Sequence, residues 1–325
     1  MISETLVERE KYKPRNYEDF DLIVIGAGPG GMSAALCACR AKLKTLIIER
    51  AVPGGQASTA YIVDNLLGFP GGVLGDTIGR RMEEHLEGHG CYVSFETVED
   101  IESISDREKA VRTNMGHTYK AKAIIISVGL EPQKLDQPFE SKFLGRGISY
   151  YAQGDASFYQ GKDVAVIGGG NCACYAAEYL SQFVNQLYLI HQSDSIKAVR
   201  ALKEKIVHNP KIQIVWDSKL VDVFGIDKVE KVKIQNSITD QHTWIDVKGV
   251  FVYTGRIPPR EILNLNLESD AKGFIITDEY MRTNLQGIYA VGDIRSKQVR
   301  QIATAVSDGM IAAVNVERDL QRINK

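Results

Sequence analysis

Apolar and polar positions along the chain follow one order twice: an unbroken apolar run, a glycine-rich turn, a stretch of small residues, and a second apolar run. In the first copy the runs are residues 22–26 (LIVIG) and 45–49 (TLIIE), with MSAALCACRA at 32–41 between them. In the second they are 164–168 (VAVIG) and 186–191 (QLYLIH), with a helical stretch from 172 to about 183 between them. Apolar runs without alternation predict strands buried on both faces, the habit of parallel sheets, and the stretches between them predict crossover helices. Residues 123–129 (AIIISVG), 250–255 (VFVYTG) and 287–293 (GIYAVGD) predict further buried strands, and 301–320 predicts a closing helix. Turn-rich segments at 130–138, and at Pro258 and Pro259, read as hinges.

The glycines of the first turn have separable jobs. Gly26 allows the tight turn, Gly28 lets backbone approach a pyrophosphate, and Gly31 lets the next helix pack closely on the strand, with Pro29 and Gly30 completing GAGPGG. The helix N-terminus then meets the anion. Glu49 ends the following strand, where a carboxylate accepts hydrogen bonds from a ribose 2′-hydroxyl. Gly168, Gly170 and Ala173 repeat the form as G-x-G-x-x-A, with Asn171 at the helix start. The expected fold class is α/β, with two Rossmann-like nucleotide-binding domains of the three-layer ββα type. The second is inserted into the first, because a late strand again ends on Gly292-Asp293. The expected boundaries are an N-terminal arm at 1–20, a first domain at 21–134 plus 258–325, and a second at 135–257.

Composition narrows the partners. A length of 325 residues exceeds the usual single domain. With 39 basic and 41 acidic residues the net charge is −2, which argues against nucleic acid or an anionic membrane as the main partner. No apolar stretch approaches ~20 residues and the first 20 residues are polar, so a soluble, cytoplasmic protein is expected. The five cysteines fall as Cys37 with Cys39, Cys172 with Cys174, and Cys91 alone, a pattern that fits a reducing compartment better than a disulfide framework. No metal-ligand set is read.

The segments Gly26-Ala27-Gly28-Pro29-Gly30-Gly31, Pro53-Gly54-Gly55-Gln56, Asp64-Asn65, Gly68-Phe69-Pro70, Ser127-Val128-Gly129, Gly292-Asp293, Arg300-Gln301 and Thr304-Ala305 carry a resemblance. The chain resembles the low-molecular-weight thioredoxin reductases of the pyridine nucleotide-disulfide oxidoreductase superfamily from about residue 20 to its C-terminus. The resemblance implies an FAD site, with Gly55, Gln56 and Asn65 along the isoalloxazine and Asp293 at the ribityl-phosphate region. Arg300 and Gln301, with Thr304 just beyond, open a helix toward the flavin's pyrimidine end, where a helix N-terminus stabilises a reduced flavin. A homodimer is implied by the resemblance alone.

The departures from that family shape the functional expectation. Where it carries Cys-x-x-Cys-Asp, this chain has Tyr151-Ala152-Gln153-Gly154-Asp155. Where it carries a cluster of arginines for the NADPH 2′-phosphate, this chain has His191-Gln192-Ser193, with Lys197 the one remaining cation. No acid ends that strand either, so both usual nicotinamide discriminators are missing. A similarity to the diflavin-linked disulfide oxidoreductases implies a second FAD in place of NADPH, and the residues leave NAD(P)H open as the alternative.

The dithiol candidates are Cys172 and Cys174, which open the second helix, where its dipole favours thiolate. Residues i and i+2 of a helix point roughly 200° apart, so a bond between them requires an irregular first turn. Cys37 and Cys39 read as helix packing and Cys91 as core. The expected activity is that of a diflavin-linked dithiol oxidoreductase, not a conventional NADPH-thioredoxin reductase. It passes electrons between this cysteine pair and two FAD molecules, with a dithiol protein or small thiol as substrate and an unidentified electron acceptor. The alternatives are an NAD(P)H-dependent flavin reductase of the same fold without a dithiol, and a non-catalytic flavin redox sensor.

Overall fold

A computed structural model describes residues 18–259 and 265–323. The chain divides into two compact units, Met1–Glu131 with Ile257–Lys325, and Pro132–Arg256.

The first unit is built on a seven-stranded sheet. Asp19–Ile25 pairs in parallel with Thr45–Ile48 on one side and Thr118–Ile126 on the other, and Tyr92–Ser94 extends the first side. The start of Thr118–Ile126 pairs antiparallel with Glu108–Thr113, which pairs with Val98–Ser105, while its end pairs in parallel with Ile288–Ala290. One long strand therefore serves a parallel layer and an antiparallel layer at once. Leu22 and Val24 pack on the helix side with Met32, Ala35 and Ala312, whereas Ile23 and Ile25 pack on the other with Ile101, Val111 and Tyr119. Burial on both faces is why these strands read as continuous apolar runs.

Helix Pro29–Arg40 lies between this sheet and the helix Ile302–Ile323, so its buried positions are small: Ala34, Ala35 and Ala38 are fully covered. Contact with the last helix is backbone to backbone. A Cβ at Gly309 would fall 2.1 Å from the carbonyl oxygen of Gly30.

The second unit repeats the plan with a five-stranded parallel sheet. Its order is Ile148–Ser149, Gly249–Val252, Val164–Ile167, Leu187–Ile190 and Ile212–Val215. Val164 and Val166 pack against Ala173, Ala177 and Leu180 of helix Asn171–Leu180, and Ala165 and Ile167 share a core with Val223, Val232 and Ile234 of a three-stranded antiparallel sheet. Beyond the expected elements, antiparallel strands occupy 98–113 and 218–246.

The N-terminal arm expected over 1–20 needs a correction at its end. Asp19 and Phe20 pair with Lys120 and Ala121, and Phe20 is buried beside Tyr92 and Tyr119, so these residues belong to the sheet. Residues 1–17 lie outside the described residues. No helix among the described residues is long and apolar enough to cross a membrane, and no group of three His, Cys, Asp or Glu there could hold a metal ion.

Candidate functional site

The first glycine turn is shaped by what a side chain would strike. Gly26 has φ +99°, and a Cβ there would lie 2.5 Å from the carbonyl oxygen of Ser127. A Cβ on Gly31 would lie 1.9 Å from the oxygen of Gly26, which makes glycine obligatory where the helix leaves the strand. At Gly28 there is nothing within 4 Å. Gly28 is also the N-cap of helix Pro29–Arg40 and supplies no side-chain cap, so the first amides of that helix are left for an anion.

Glu49 is buried at the end of Thr45–Ile48 and is tied to the same turn. Its Oε2 accepts the Ala27 amide at 2.7 Å and its Oε1 the Ala51 amide at 2.8 Å. The carboxylate holds the turn closed and keeps unused lone pairs on both oxygens.

Two further clusters assemble around this turn from distant segments. Gly54 donates its amide to Ala27 O at 2.8 Å, Gly55 approaches the Cα of Gly28, and Gln56 donates to the carbonyl of Leu130 beside Gly129. Asn65 donates to Gln301 Oε1 at 3.0 Å, and Thr304 Oγ1 accepts the Gln301 amide at 3.1 Å, just where the last helix begins. Arg300 donates to the carbonyls of Asp293 (3.2 Å) and Arg295 (3.3 Å) and lies over the Phe274 ring at 3.9 Å.

Sequence reasoning missed the group that fixes the Gly292 turn. Asp308, buried on the last helix, takes the Gly292 amide and Lys297 Nζ on Oδ2, and Arg295 Nη1 on Oδ1. An aspartate seven residues after Gln301 in an amphipathic helix gives no local signal of this work.

The second glycine turn lines a pocket of about 450 Å³. Gly168 has φ +136°, and a Cβ there would lie 2.3 Å from Tyr253 O, while Gly170 again has nothing within 4 Å and leaves helix Asn171–Leu180 without a side-chain cap. The His191 ring lies over the Gly169 backbone, and its Nε2 donates to Ser195 O at 3.0 Å. Lys197 N donates to Gly169 O at 2.8 Å, and Asn171 Oδ1 accepts the Val199 amide at 2.9 Å. Asn171 thus fastens the 193–199 loop to the turn. Lys197 is not the one cation at this turn, because Arg256 lines the pocket with it. Only the parallel sheet, which sets Gly249–Val252 beside Val164–Ile167, brings Arg256 to the fingerprint.

The cysteines are all free. Cys39 and Cys91 are buried, and Cys37 is half-buried. Cys172 is exposed and lines the pocket, whereas Cys174 packs in the core among Ala173, Ala177 and Leu180. Burial pushes the Cys174 thiol up to about 11, against the expected activation by the helix dipole. The helix is regular from Asn171, so the two side chains diverge. Asp155 ends a short turn and makes no capping side-chain bond.

A family model described as "Pyridine nucleotide-disulphide oxidoreductase" matches residues 20–309. A "34.2 kDa protein in rubredoxin operon" of Clostridium pasteurianum is 39% identical over 93% of this chain and 97% of its own length. The thioredoxin reductase of Listeria innocua is 36% identical, over 94% of this chain and 95% of that protein. The crystal structure of Lactococcus lactis thioredoxin reductase in its FR conformation superposes with a TM-score of 0.89 at 36% identity, covering 93% and 99% of the two chains. These relatives overturn the expected diflavin-linked activity and, with it, the placing of the chain outside the conventional thioredoxin reductases. That expectation rested on the missing Cys-x-x-Cys and on the missing nicotinamide discriminators at the second turn, and Arg256 weakens the second of these grounds.

Proposed function

Because the chain belongs to the pyridine nucleotide-disulphide oxidoreductase family and is thioredoxin reductase-like, we propose that it is a flavin-dependent oxidoreductase with FAD at the first glycine turn and NAD(P)H at the second. The observation that carries this reading is the second pocket. An uncapped helix N-terminus and open space beside Gly170 suit a dinucleotide pyrophosphate, and the cations Lys197 and Arg256 in the same pocket suit the phosphates of such a nucleotide.

The first turn fits FAD by the same test, with open space at Gly28 and a helix N-terminus free of side-chain caps. Gly26, Gly28, Gly30 and Gly31 would hold the pyrophosphate, Glu49 the ribose, and Gly55, Gln56, Asn65, Arg300 and Gln301 the ring system. FAD, when bound, supplies the capacity to take hydride from NAD(P)H and to hand an electron pair to an acceptor. The protein's part is to orient both dinucleotides and keep the glycine turns closed.

By likeness to the relatives named thioredoxin reductase, the acceptor is a disulfide of a protein or of a small thiol compound. Cys172 is exposed and Cys174 is buried, so a disulfide attacked by this pair gives a mixed disulfide on Cys172 and releases its other sulfur as a thiol, with no neighbouring thiol among the described residues to resolve it. The test is an anaerobic titration of the holoprotein with NADPH and NADH. The flavin band bleaches, denaturation releases one FAD per chain, and the reduced protein is reoxidised by a disulfide acceptor. Two FAD per chain, or a flavin that stays oxidised with both nucleotides, would overturn the proposal.

A further inference from the structure

The second pocket has a direction. Its walls are the residues that follow four parallel strands: Tyr150 after Ile148–Ser149, Tyr253 to Arg256 after Gly249–Val252, Gly168 after Val164–Ile167, and His191 after Leu187–Ile190. All four strand ends lie on one edge, in that order. The chain order reverses at Val164–Ile167, and a dinucleotide lies across such a switch point with its pyrophosphate at the helix N-terminus. The strand after the glycine turn, with His191, Ser193 and Lys197, takes the adenosine half. Tyr150 and Tyr253 stand on the opposite side of the pyrophosphate turn. From Tyr150's strand to His191's is three strand spacings, about 14 Å, a span that suits an extended dinucleotide.

Tyr150 is held from behind. Its hydroxyl donates to Oε1 of Glu140, a carboxylate only 7% exposed, whose Oε2 accepts the Asp136 amide at 2.9 Å. Glu140 sits on the short helix Pro138–Phe143, and Tyr150 packs against the core that holds Phe139, Phe143 and Ile148. The phenol is spent on Glu140, so the pocket meets the ring and not a free donor. Burial and the adjacent carboxylate both push the Tyr150 pKa up, and the hydroxyl stays protonated throughout the working range.

We infer that Tyr150 contacts the nicotinamide half of the bound nucleotide, and that Glu140 is a positioning residue acting through it. This rests on the proposal that NAD(P)H occupies the pocket. It goes beyond that proposal in assigning the two ends of the nucleotide and a device that orients one of them. A flat nicotinamide gains from an aromatic wall only if that wall is fixed, and a buried carboxylate bonded on both oxygens fixes it.

The test compares NADP⁺ with 2′-phospho-ADP-ribose, the same molecule without nicotinamide, by calorimetry on the oxidised holoprotein. Tyr150→Ala weakens NADP⁺ about tenfold and changes the fragment by less than roughly twofold, as expected for the loss of one aromatic contact. Glu140→Gln and Tyr150→Phe, which keep the ring but loosen its anchor, shift NADP⁺ alone and by less. Should Tyr150→Ala fail to fold, these two milder variants carry the comparison. An equal loss for both ligands would show a structural role, and no loss for either would show no contact; both outcomes overturn the inference while leaving the nucleotide pocket standing. If the wild-type protein binds NAD⁺ alone, NAD⁺ and ADP-ribose take the same places in the comparison, and if it binds neither NADP⁺ nor NAD⁺, the nucleotide reading of the pocket falls first and this inference with it.

Discussion

Asp308 Oδ2 accepts the backbone amide of Gly292 at 3.1 Å, joining the last helix to the glycine that opens the turn after strand Ile288–Ala290. The same carboxylate pairs with Arg295 and Lys297 at 2.9 Å each, and all three side chains are at most 14% exposed. Asp308→Ala therefore leaves Arg295 without its carboxylate and Lys297 with only the Asp293 carboxylate at 3.9 Å, a loss of about 3–5 kcal/mol. Thermal unfolding should show a lowered midpoint together with loss of FAD from the purified protein. Asp308→Asn, which can still accept from Gly292, should lose less. An Asp308→Ala protein as stable and as yellow as the parent would remove this carboxylate from the account.

Gly28 and Gly31 stand three residues apart and should fail differently. A methyl group at Gly28 meets open space, so Gly28→Ala should give an apoprotein of nearly unchanged stability that no longer retains FAD. A methyl group at Gly31 would lie 1.9 Å from Gly26 O, so Gly31→Ala should unfold at lower temperature before flavin is considered. Flavin absorbance per chain and the melting temperature of the apoproteins separate the two.

Lys197 and Arg256 lie on opposite sides of the second turn in strand order, so their removal should be told apart by the nucleotide. Lys197→Ala should weaken NADPH by about tenfold and NADH hardly at all, because one charge-assisted hydrogen bond to a phosphate is worth on the order of 1.5–3 kcal/mol. Arg256→Ala should weaken both alike. Rates of flavin reduction measured against nucleotide concentration give both affinities, and an equal response of the two nucleotides to Lys197→Ala would place that lysine away from the 2′-phosphate.

Cys172 and Cys174 should differ in reactivity. Iodoacetamide at pH 8 should label Cys172 in the native protein and spare Cys174 until the chain unfolds, which mass spectrometry of the digests reads directly. Burial raises the Cys174 pKa from the ordinary 9.0 to about 11, so on raising the pH the unfolded chain ionises first. The stability contributed by the neutral buried thiol is complete below pH 9 and is lost as the pH rises toward 11. Cys174→Ala should flatten that alkaline loss, and an unchanged pH profile would mean the thiol is not the group responsible.

The glycine turns were legible because their chemistry is local: a tight turn, an approaching backbone and a helix start all fall within a few residues of one another. The buried strands were legible as apolar runs, although the runs gave no hint that Ile23 and Val24 look toward different layers. The shortage of cations at the second turn was misleading for a related reason, since Arg256 comes from a strand remote in sequence.

From the residues alone come two glycine turns of the dinucleotide-fingerprint form, the insertion of one unit into the other, and the absence of cysteine at 151–154. The partners of those turns came only with the tertiary structure: Glu49 on Ala27, Asp308 on Gly292, Arg256 beside Lys197, and Glu140 behind Tyr150. So did the different fates of Cys172 and Cys174. Local spacing sets how the backbone turns, but burial and charge pairing depend on which strands lie side by side, and sheet order is decided by packing across the whole unit.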